Sequence, residues 1–220
     1  MKLMVISGRS GSGKSTALNA LEDEGFNCID NFPAGLLPQL IQSHYEAEIV
    51  QDLAVCIDAR NVPADLELLP ERLNALDQDD LQVQVIFLDA LAHTLMQRFS
   101  ETRRRHPLTH GSQDLRQAID LEAEVLAVVS ELADLQIDTT NLSGADLVEM
   151  IKTRVINKSA NSISLLFRSF AFKNGVPIDS DFVFDVRCLP NPYWQKELRS
   201  LSGIDQPVRD FLATQTVATS

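Results

Sequence analysis

The sequence predicts an α/β fold in which helices cover both faces of a parallel sheet, followed by a smaller second region. Residues 1–157 alternate short apolar, β-rich runs with segments of helical length. Near-continuous apolar strands between helices are typical of a parallel sheet that is buried on both faces. The pattern changes at the polar string NKSANS, residues 157–162. We therefore expect a first domain over residues 1–157 and a second over residues 162–220.

The first domain is predicted from its β-rich runs and helix-length segments. Strands are predicted at 3–6, 27–29, 53–57, 83–88 and 135–137, and helices at 14–24, 36–46, 64–76, 92–101, 112–132 and 143–156. Ser112 and Ser143 stand where they would cap the last two helices. Beyond the boundary, the aromatic strings ISLLFRSFAF and DFVFDVRCLPNPYW predict strands over 163–172 and 181–194.

The bulk composition indicates a globular protein. The chain has 220 residues, of which 45% are hydrophobic and 23% charged, as is usual for such proteins. No apolar run approaches the roughly 18 residues that a membrane-spanning helix needs, and the string MKLMVISG is too short for a signal peptide. Cysteines and histidines show no metal-ligand spacing. We therefore expect a cytoplasmic protein with no membrane partner and no metal beyond one that accompanies a nucleotide.

The net charge of −12 is distributed unevenly along the chain. Residues 1–150 carry 10 basic and 25 acidic side chains, a balance of −15, whereas residues 151–220 carry 9 basic and 6 acidic, a balance of +3. The acidic side chains of residues 1–150 would repel nucleic acid, whereas the slightly basic residues 151–220 would not. The two regions are thus expected to have different partners.

The string GRSGSGKS, residues 8–15, has the spacing of a phosphate-binding loop. It follows the apolar run KLMVI and opens the helical segment STALNALEDE, which is the context that such a loop requires. Its glycines allow the backbone to approach phosphates closely, and the loop amides and the helix N-terminus attract anions. Lys14 would reach the β- and γ-phosphates, and Ser15 would ligate magnesium. The fold is therefore expected to be of the P-loop NTPase type and nucleotide-kinase-like. The predicted loop residues are Gly8, Arg9, Ser10, Gly11, Ser12, Gly13, Lys14 and Ser15.

A P-loop enzyme also needs an acidic residue at the end of a neighbouring strand, where it helps to hold magnesium. Two apolar runs end in such a residue, LAVCID at Asp58 and VIFLD at Asp89. Either carboxylate would serve equally well to cap the next helix or turn, so composition leaves both open. Arg60 and Asn61 follow Asp58 at the sheet edge where open α/β sheets bind ligands, and this favours Asp58.

Two further strings have alternative interpretations. Asp30 follows the short second strand, where small-molecule kinases of this fold hold a substrate or a base, but an Asp before Asn-Phe-Pro is equally a turn residue. Arg103, Arg104 and Arg105 would form a lid over the phosphates or a solvated basic turn. The guanine-recognition string Asn-Lys-any-Asp is absent from the sequence, so ATP and GTP both remain candidates.

Several strings together resemble the RapZ/YvcJ family of bacterial nucleotide-binding proteins. They are SGRSGSGKS, CIDNFP, DAR, TRRRHPL, SFAFKNGVPIDSDFVFDVRCLPNP and LSGIDQPV, and the resemblance extends over residues 1–213. Members of this family continue past Asp-Gln-Pro-Val into a Gly-rich and basic stretch, whereas this sequence ends at Ser220. The resemblance therefore implies a complete nucleotide site and a partial C-terminal α/β domain.

The resemblance also implies a function. It implies ATP binding at residues 8–15, a guanine-nucleotide motif at Asp58, Ala59, Arg60 and Asn61, and weak ATPase and GTPase activity. It implies a regulatory adapter that presents small RNA to an endoribonuclease and so controls amino-sugar metabolism, and it leaves a homo-oligomer open. We expect Lys14 and Asp58 to be catalytic, and Ser15 and Asp58 to bind the Mg²⁺ that accompanies ATP or GTP.

Three functions are compatible with this sequence. A nucleotide-binding regulator would use slow hydrolysis to bias an attached RNA- or metabolite-binding module. A P-loop small-molecule kinase would use Asp30 as base and the three arginines as lid. A non-enzymatic interaction protein would leave a complete phosphate loop unused. The additional region after residue 162, which a minimal kinase does not need, favours the regulator.

Overall fold

The computed structural model describes residues 1–76, 81–102, 105–109, 114–156, 167, 169–177 and 180–215. The chain divides into two compact units, Met1–Asp179 and Ser180–Ser220. Among the described residues, no helix is both long and apolar enough to cross a bilayer.

The first unit is built on a five-stranded sheet in the described part of the chain. Its strands are β1 (Lys2–Gly8), β2 (Asn27–Ile29), β3 (Leu53–Cys56), β4 (Gln82–Asp89) and β5 (Leu135–Asp138). Their order is β2-β3-β1-β4-β5, and every neighbouring pair is parallel. All five predicted strands are confirmed, and the strand that precedes the glycine loop is central.

Helices connect the strands. They are α1 (Lys14–Asp23), α2 (Leu37–Glu46), α3 (Pro63–Glu67), α4 (Leu69–Leu76), α5 (Ala92–Thr102), α6 (Leu115–Val125), α7 (Ala127–Glu131) and α8 (Gly144–Ile151). The helix predicted over 64–76 is divided at Leu68, two residues before Pro70, whose ring and missing amide disfavour an uninterrupted helix. The helix predicted over 112–132 is divided at Leu126.

The two predicted N-caps have different outcomes. The hydroxyl of Ser143 accepts a hydrogen bond from the backbone amide of Asp146, whose carboxylate in turn accepts from the backbone amide of Ser143. This reciprocal capping box satisfies two amides that have no acceptor within α8. Ser112 lies outside the described residues, and Asp114 precedes the first residue of α6.

The core has two halves because the sheet is buried on both faces. Alternate residues of a strand point to opposite faces, so Leu3 and Val5 of β1 belong to one apolar cluster and Met4 and Ile6 to the other. All four side chains are at most 3% exposed. This explains why β1 reads as a continuous apolar run rather than as an alternating one.

The second unit contains short helical turns at Val186–Cys188 and Pro192–Trp194, and helix α9 (Gln206–Ala213). The strand predicted over 181–194 is wrong, because these residues contain the two helical turns and no strand. The aromatic side chains that suggested it are exposed, Phe182 to 83% and Phe184 to 80%. Pro190 and Pro192 also lack the amides that a strand would donate. Half of the strand predicted over 163–172, residues 163–166 and 168, lies outside the described residues.

Candidate phosphate-binding site

The predicted phosphate loop joins the central strand β1 to helix α1. Gly8 ends the strand with φ at +139°, and a Cβ there would lie 2.0 Å from the carbonyl oxygen of Leu88. Gly13, with φ at +106°, is the N-cap of α1, and no side chain of the described residues caps this helix end. The first-turn amides of a helix have no intrahelical acceptor, so this end of α1 is open to an anion.

Arg9, the first residue between the loop glycines, is held by the end of β4. Its Nε donates to Asp89 Oδ1 at 2.7 Å, and its Nη2 donates to the carbonyl oxygen of Ala90 at 2.6 Å. The side chains of this ion pair are only 11% and 25% exposed. Asp89 is therefore engaged in positioning the loop.

Ser10 is held by helix α6. Its backbone amide and its hydroxyl donate to the two carboxylate oxygens of Glu122, at 2.8 and 2.7 Å. The carboxylate also lies 3.0 Å from His106 Nε2. The side chains of Glu122 and His106 are both completely buried.

The carbonyl groups of the next two loop residues have partners as well. Arg98 of α5 donates from Nη1 to the carbonyl oxygen of Gly11 at 2.9 Å, and from Nη2 to that of Thr139 at 2.6 Å. Thr139 is the residue after β5, and its hydroxyl donates to the carbonyl oxygen of Ser12 at 2.9 Å. Each of the four residues 9–12 thus has a partner from a different part of the chain, and contacts within the protein fix the shape of the loop.

Lys14 folds back onto the loop. Its Nζ donates to the carbonyl oxygens of Gly8 at 2.7 Å and Arg9 at 3.1 Å. The buried hydroxyls of Ser7 and Ser12 have no hydrogen-bond partner among the described residues. The site therefore offers a cation and open helix amides, which together suit a polyphosphate.

Asp58 lies at the carboxyl end of β3, beside β1. Its carboxylate accepts from Arg60, from Nε at 3.0 Å and from Nη2 at 2.5 Å, and from the Arg60 backbone amide at 2.9 Å. Burial would raise the pKa of Asp58, but the hydrogen bonds from Arg60 and the charge of Lys14 outweigh it, so the pKa is lowered. Asp58 is thus an ionised carboxylate, 3% exposed, within electrostatic reach of Lys14.

Asn61 organises the turn after β3. Its Oδ1 accepts from the backbone amide of Ala34 at 2.7 Å, and its Nδ2 lies 3.2 Å from the carbonyl oxygens of Phe32 and Asp58. Ala59, in the same turn, is buried. The side-chain amide of Asn61 thus connects the loop after β2 with the turn after β3.

The remaining predicted residues are at the surface or outside the described ranges. Asp30 is exposed, and its Oδ1 accepts from the backbone amide of Asn31, as the turn interpretation predicts. Its charge also acts on Arg60. Arg103 and Arg104 of the predicted lid lie outside the described residues, and Arg105 is exposed.

The residues present fit a magnesium ion carried by a nucleotide. Among the residues that the structure describes, no group of three or more His, Cys, Asp or Glu could hold a metal ion. Ser15 is exposed in the first turn of α1, and Asp58 supplies carboxylate oxygens at the adjoining strand end. Magnesium prefers oxygen ligands and commonly takes only one or two from protein, with phosphates and water completing its shell.

Sequence reasoning did not identify Glu122, His106, Arg98 and Thr139 as parts of this site. One signal was present, because Glu122 stands at a helical spacing from Ile119 and Leu126, both completely buried. An acid on the apolar stripe of a helix requires a buried partner. Its partner, Ser10, is 112 residues away in sequence.

Comparison with known proteins places the chain among relatives over nearly its whole length. The family model described as RapZ-like N-terminal domain matches residues 1–159, and the model described as RapZ C-terminal domain matches residues 163–220. A nucleotide-binding protein of Pseudomonas putida and another of Stutzerimonas stutzeri are each 54% identical over 217 residues. These matches cover 98% of this chain and 76% of each relative.

Solved structures align with most of this chain. The tunicamycin resistance protein of Deinococcus radiodurans superimposes with a TM-score of 0.50 at 18% identity, over 70% of this chain and 95% of that chain. A shikimate kinase of Bacteroides thetaiotaomicron gives a TM-score of 0.43 at 13% identity, over 69% of this chain and 96% of that chain. The first likeness concerns the fold alone and, with the parallel sheet, confirms the predicted α/β class.

Proposed function

This chain belongs to the RapZ-like family, and we propose that it binds ATP or GTP with magnesium at residues 8–15 and hydrolyses the nucleotide slowly. The family members that it matches at 54% identity are named nucleotide-binding proteins, which supports the first part. Hydrolysis is proposed to return the protein from its nucleoside-triphosphate-bound state to its other nucleotide state, and not to make a product for metabolism.

The observation that carries this proposal is the shaped phosphate loop. Residues 9–12 are held by side chains or backbone from β4, α6, α5 and the end of β5, while the N-terminus of α1 has no side-chain cap in the described structure. A loop whose shape is fixed by contacts within the protein loses less conformational entropy when an anion binds. The same arrangement is hard to explain as a turn with only a structural role.

Lys14 and Asp58 are the proposed catalytic residues. The Lys14 ammonium donates to two loop carbonyls, and phosphate oxygens are proposed to replace them as acceptors when a nucleotide binds. Ser15 and Asp58 are proposed to hold magnesium, which neutralises charge on the phosphate oxygens when it is bound. Asp58, Ala59, Arg60 and Asn61 are proposed to contribute to guanine-nucleotide binding, and Arg105, with its two neighbours in sequence, to a lid.

A regulatory role is proposed for the complete chain. The domain over residues 162–220 would bind small RNA, with an endoribonuclease as protein partner, and its activity would follow the nucleotide state of residues 1–157. The excess of basic residues after residue 150 supports this division. The protein is proposed to act in the cytoplasm, on amino-sugar metabolism, as a monomer or a homo-oligomer.

The nucleotide assignment is tested by titrating purified protein with fluorescent ATP and GTP analogues in the presence of magnesium. Lys14→Ala is expected to weaken binding at least about tenfold and to abolish turnover, because charge-assisted hydrogen bonds contribute about 1.5–3 kcal/mol. Lys152→Ala, which removes a surface lysine paired with Glu24 at 2.6 Å, is the matched control. Equal affinities and rates in both variants would refute the assignment.

The adapter role is tested separately by gel-shift with a small-RNA library. The chain of 220 residues and a version extended by the C-terminal stretch of its relatives are compared, each with and without nucleotide. RNA binding that changes with the nucleotide supports the regulator. No RNA binding by either version contradicts the RNA part of the proposal and leaves the nucleotide part intact.

A P-loop small-molecule kinase is the second candidate, and the exposure of Asp30 favours it. This carboxylate lies at the carboxyl edge of the sheet, close enough to Arg60 for their charges to interact, and its exposure leaves it accessible to a second substrate. The kinase would form a phosphorylated product from ATP and a metabolite mixture. A hydrolysis rate that metabolites leave unchanged, without such a product, excludes it.

A further inference from the structure

Glu122 is a completely buried carboxylate that the proposed chemistry does not use. It lies on α6, on the same stripe as the buried residues Ala118, Ile119 and Leu126. Burying an ionised carboxylate among apolar side chains is strongly unfavourable unless hydrogen-bond donors surround it. An apolar residue would fill this position at lower cost, so the acid is expected to serve a purpose.

The donors around Glu122 identify its state. The backbone amide of Leu108 donates to His106 Nδ1 at 3.2 Å, so Nδ1 is unprotonated and the proton of the neutral ring is on Nε2. That nitrogen then donates to Glu122 Oε2 at 3.0 Å. Burial would raise the pKa of Glu122, but the bonds from His106 and Ser10 and the charge of Lys14 lower it. Glu122 is therefore an ionised acceptor of three hydrogen bonds.

Two of these three bonds hold the phosphate loop. Because the amide and the hydroxyl of Ser10 both donate to Glu122, the orientation of the peptide between Arg9 and Ser10 is fixed by contacts within the protein. The next residue is supported from the same side, because a Cβ on Gly11 would lie 3.6 Å from Leu95 and Phe99 of α5. The first half of the loop thus rests on α5 and α6, with Glu122 as its polar anchor.

We propose that Glu122 is a positioning residue for nucleotide binding, whose paired oxygen atoms pre-order Ser10 and the first half of the phosphate loop. The role depends on the shape and hydrogen bonding of the side chain rather than on its charge. His106 supports it by fixing one of the two oxygens. The inference rests on the proposed nucleotide binding at this loop, and it adds a residue that lies outside the loop motif.

Two substitutions separate shape from charge. In Glu122→Gln the amide oxygen can accept from the Ser10 amide and from His106, while the new NH₂ group donates to the Ser10 hydroxyl, which can accept as well as donate. In Glu122→Ala all three donors lose their acceptor. Glu124→Gln, at an exposed position of the same helix, is the matched control.

The first measurement is affinity for a fluorescent ATP analogue with magnesium. Glu122→Ala is expected to bind about 10- to 100-fold more weakly, because the nucleotide must then order one or two loop residues itself. Glu122→Gln is expected to stay within about threefold of the wild type, as is Glu124→Gln. Unchanged binding by Glu122→Ala overturns the inference. An equal loss in both Glu122 variants, or tighter binding by Glu122→Gln, also overturns it, since the charge would then be the cause.

The second measurement is amide hydrogen exchange of the free protein, which needs no nucleotide. Peptides that cover residues 8–13 are expected to exchange faster in Glu122→Ala, while peptides from β4 and α8 stay at the wild-type rate. Faster exchange throughout the protein would indicate a general structural role and contradict positioning. Should Glu122→Ala fail to fold, Ser10→Ala removes one bond to the carboxylate and is expected to accelerate the same loop peptides.

The two proposals fail in different ways. If the wild type binds no nucleotide and Lys14→Ala behaves identically, the proposed function fails, while the exchange experiment still reports whether Glu122 orders the loop. If the wild type binds nucleotide and the Glu122 variants match it in affinity and exchange, only the positioning inference fails.

Discussion

Asp58 and Asp89 lie at the carboxyl ends of β3 and β4, the two strands that flank β1, and the structure predicts that replacing them has different effects on magnesium. Asp58→Asn removes an ionised carboxylate that is 3% exposed and interacts electrostatically with Lys14. Asp89→Asn removes a carboxylate that already accepts from Arg9 at 2.7 Å and from the backbone amide of Ala90 at 2.7 Å. We expect magnesium-dependent nucleotide binding to suffer more in Asp58→Asn.

The magnitude follows from the interactions that each change removes. A hydrogen bond to a charged group contributes about 1.5–3 kcal/mol, which corresponds to about 10- to 100-fold in an equilibrium constant. We expect Asp58→Asn to raise the half-saturating magnesium concentration by that factor. In the wild type, Arg60 competes with magnesium for the carboxylate oxygens of Asp58, through contacts of 2.5 and 3.0 Å. This competition reduces the affinity for nucleotide that magnesium adds. Asp89→Asn is expected to change the half-saturating magnesium concentration by about threefold or less, since the amide oxygen of the new side chain can still accept from Arg9 and keep the loop in position.

The assay is titration of a fluorescent nucleotide analogue at increasing magnesium, with each variant and the wild type. Nucleotide binding in the presence of a chelator serves as the reference, because it reports the loop without the metal. The reverse order, with Asp89→Asn more affected than Asp58→Asn, would assign the magnesium role to Asp89. Equal effects of both substitutions would refute the idea that the two strand ends have separate tasks.

Two further predictions concern stability. Gly8→Ala places a Cβ 2.0 Å from the backbone oxygen of Leu88 and is expected to lower the free energy of unfolding by about 3 kcal/mol or more. Gly25→Ala, also at positive φ but with nothing within 4 Å, should lower it by about 1 kcal/mol, and equal urea midpoints would contradict the clash. In the folded protein the pKa of Glu122 lies below its ordinary value of 4.5. The ionised side chain therefore contributes its full stabilisation above pH 4.5, and this stabilisation is lost as the pH falls through the lower pKa of the folded state. The urea midpoint of Glu122→Gln is therefore expected to fall less in acid than that of the wild type, and parallel pH profiles would contradict an ionised Glu122.

The elements of the first unit could be predicted because their signals are local. The apolar runs that became β1 to β5 and the glycine spacing of residues 8–15 can each be read within a few neighbouring residues. Predictions were wrong where an element depends on partners elsewhere. The aromatic string over 181–194 has strand-like composition, yet in the described residues no neighbouring strand pairs with it, and its side chains are exposed.

Sequence by itself determined that a parallel α/β sheet carries a phosphate loop between its first strand and α1, because both follow from local periodicity and glycine geometry. Only the tertiary structure decided what holds that loop. Arg9 meets Asp89 across 80 residues, and Ser10 meets Glu122 across 112. No local pattern records such pairs, since they depend on the order of the strands and on which face of α6 is turned inward. A carboxylate that composition places on a helix is thereby brought to the anion site as the support of its loop.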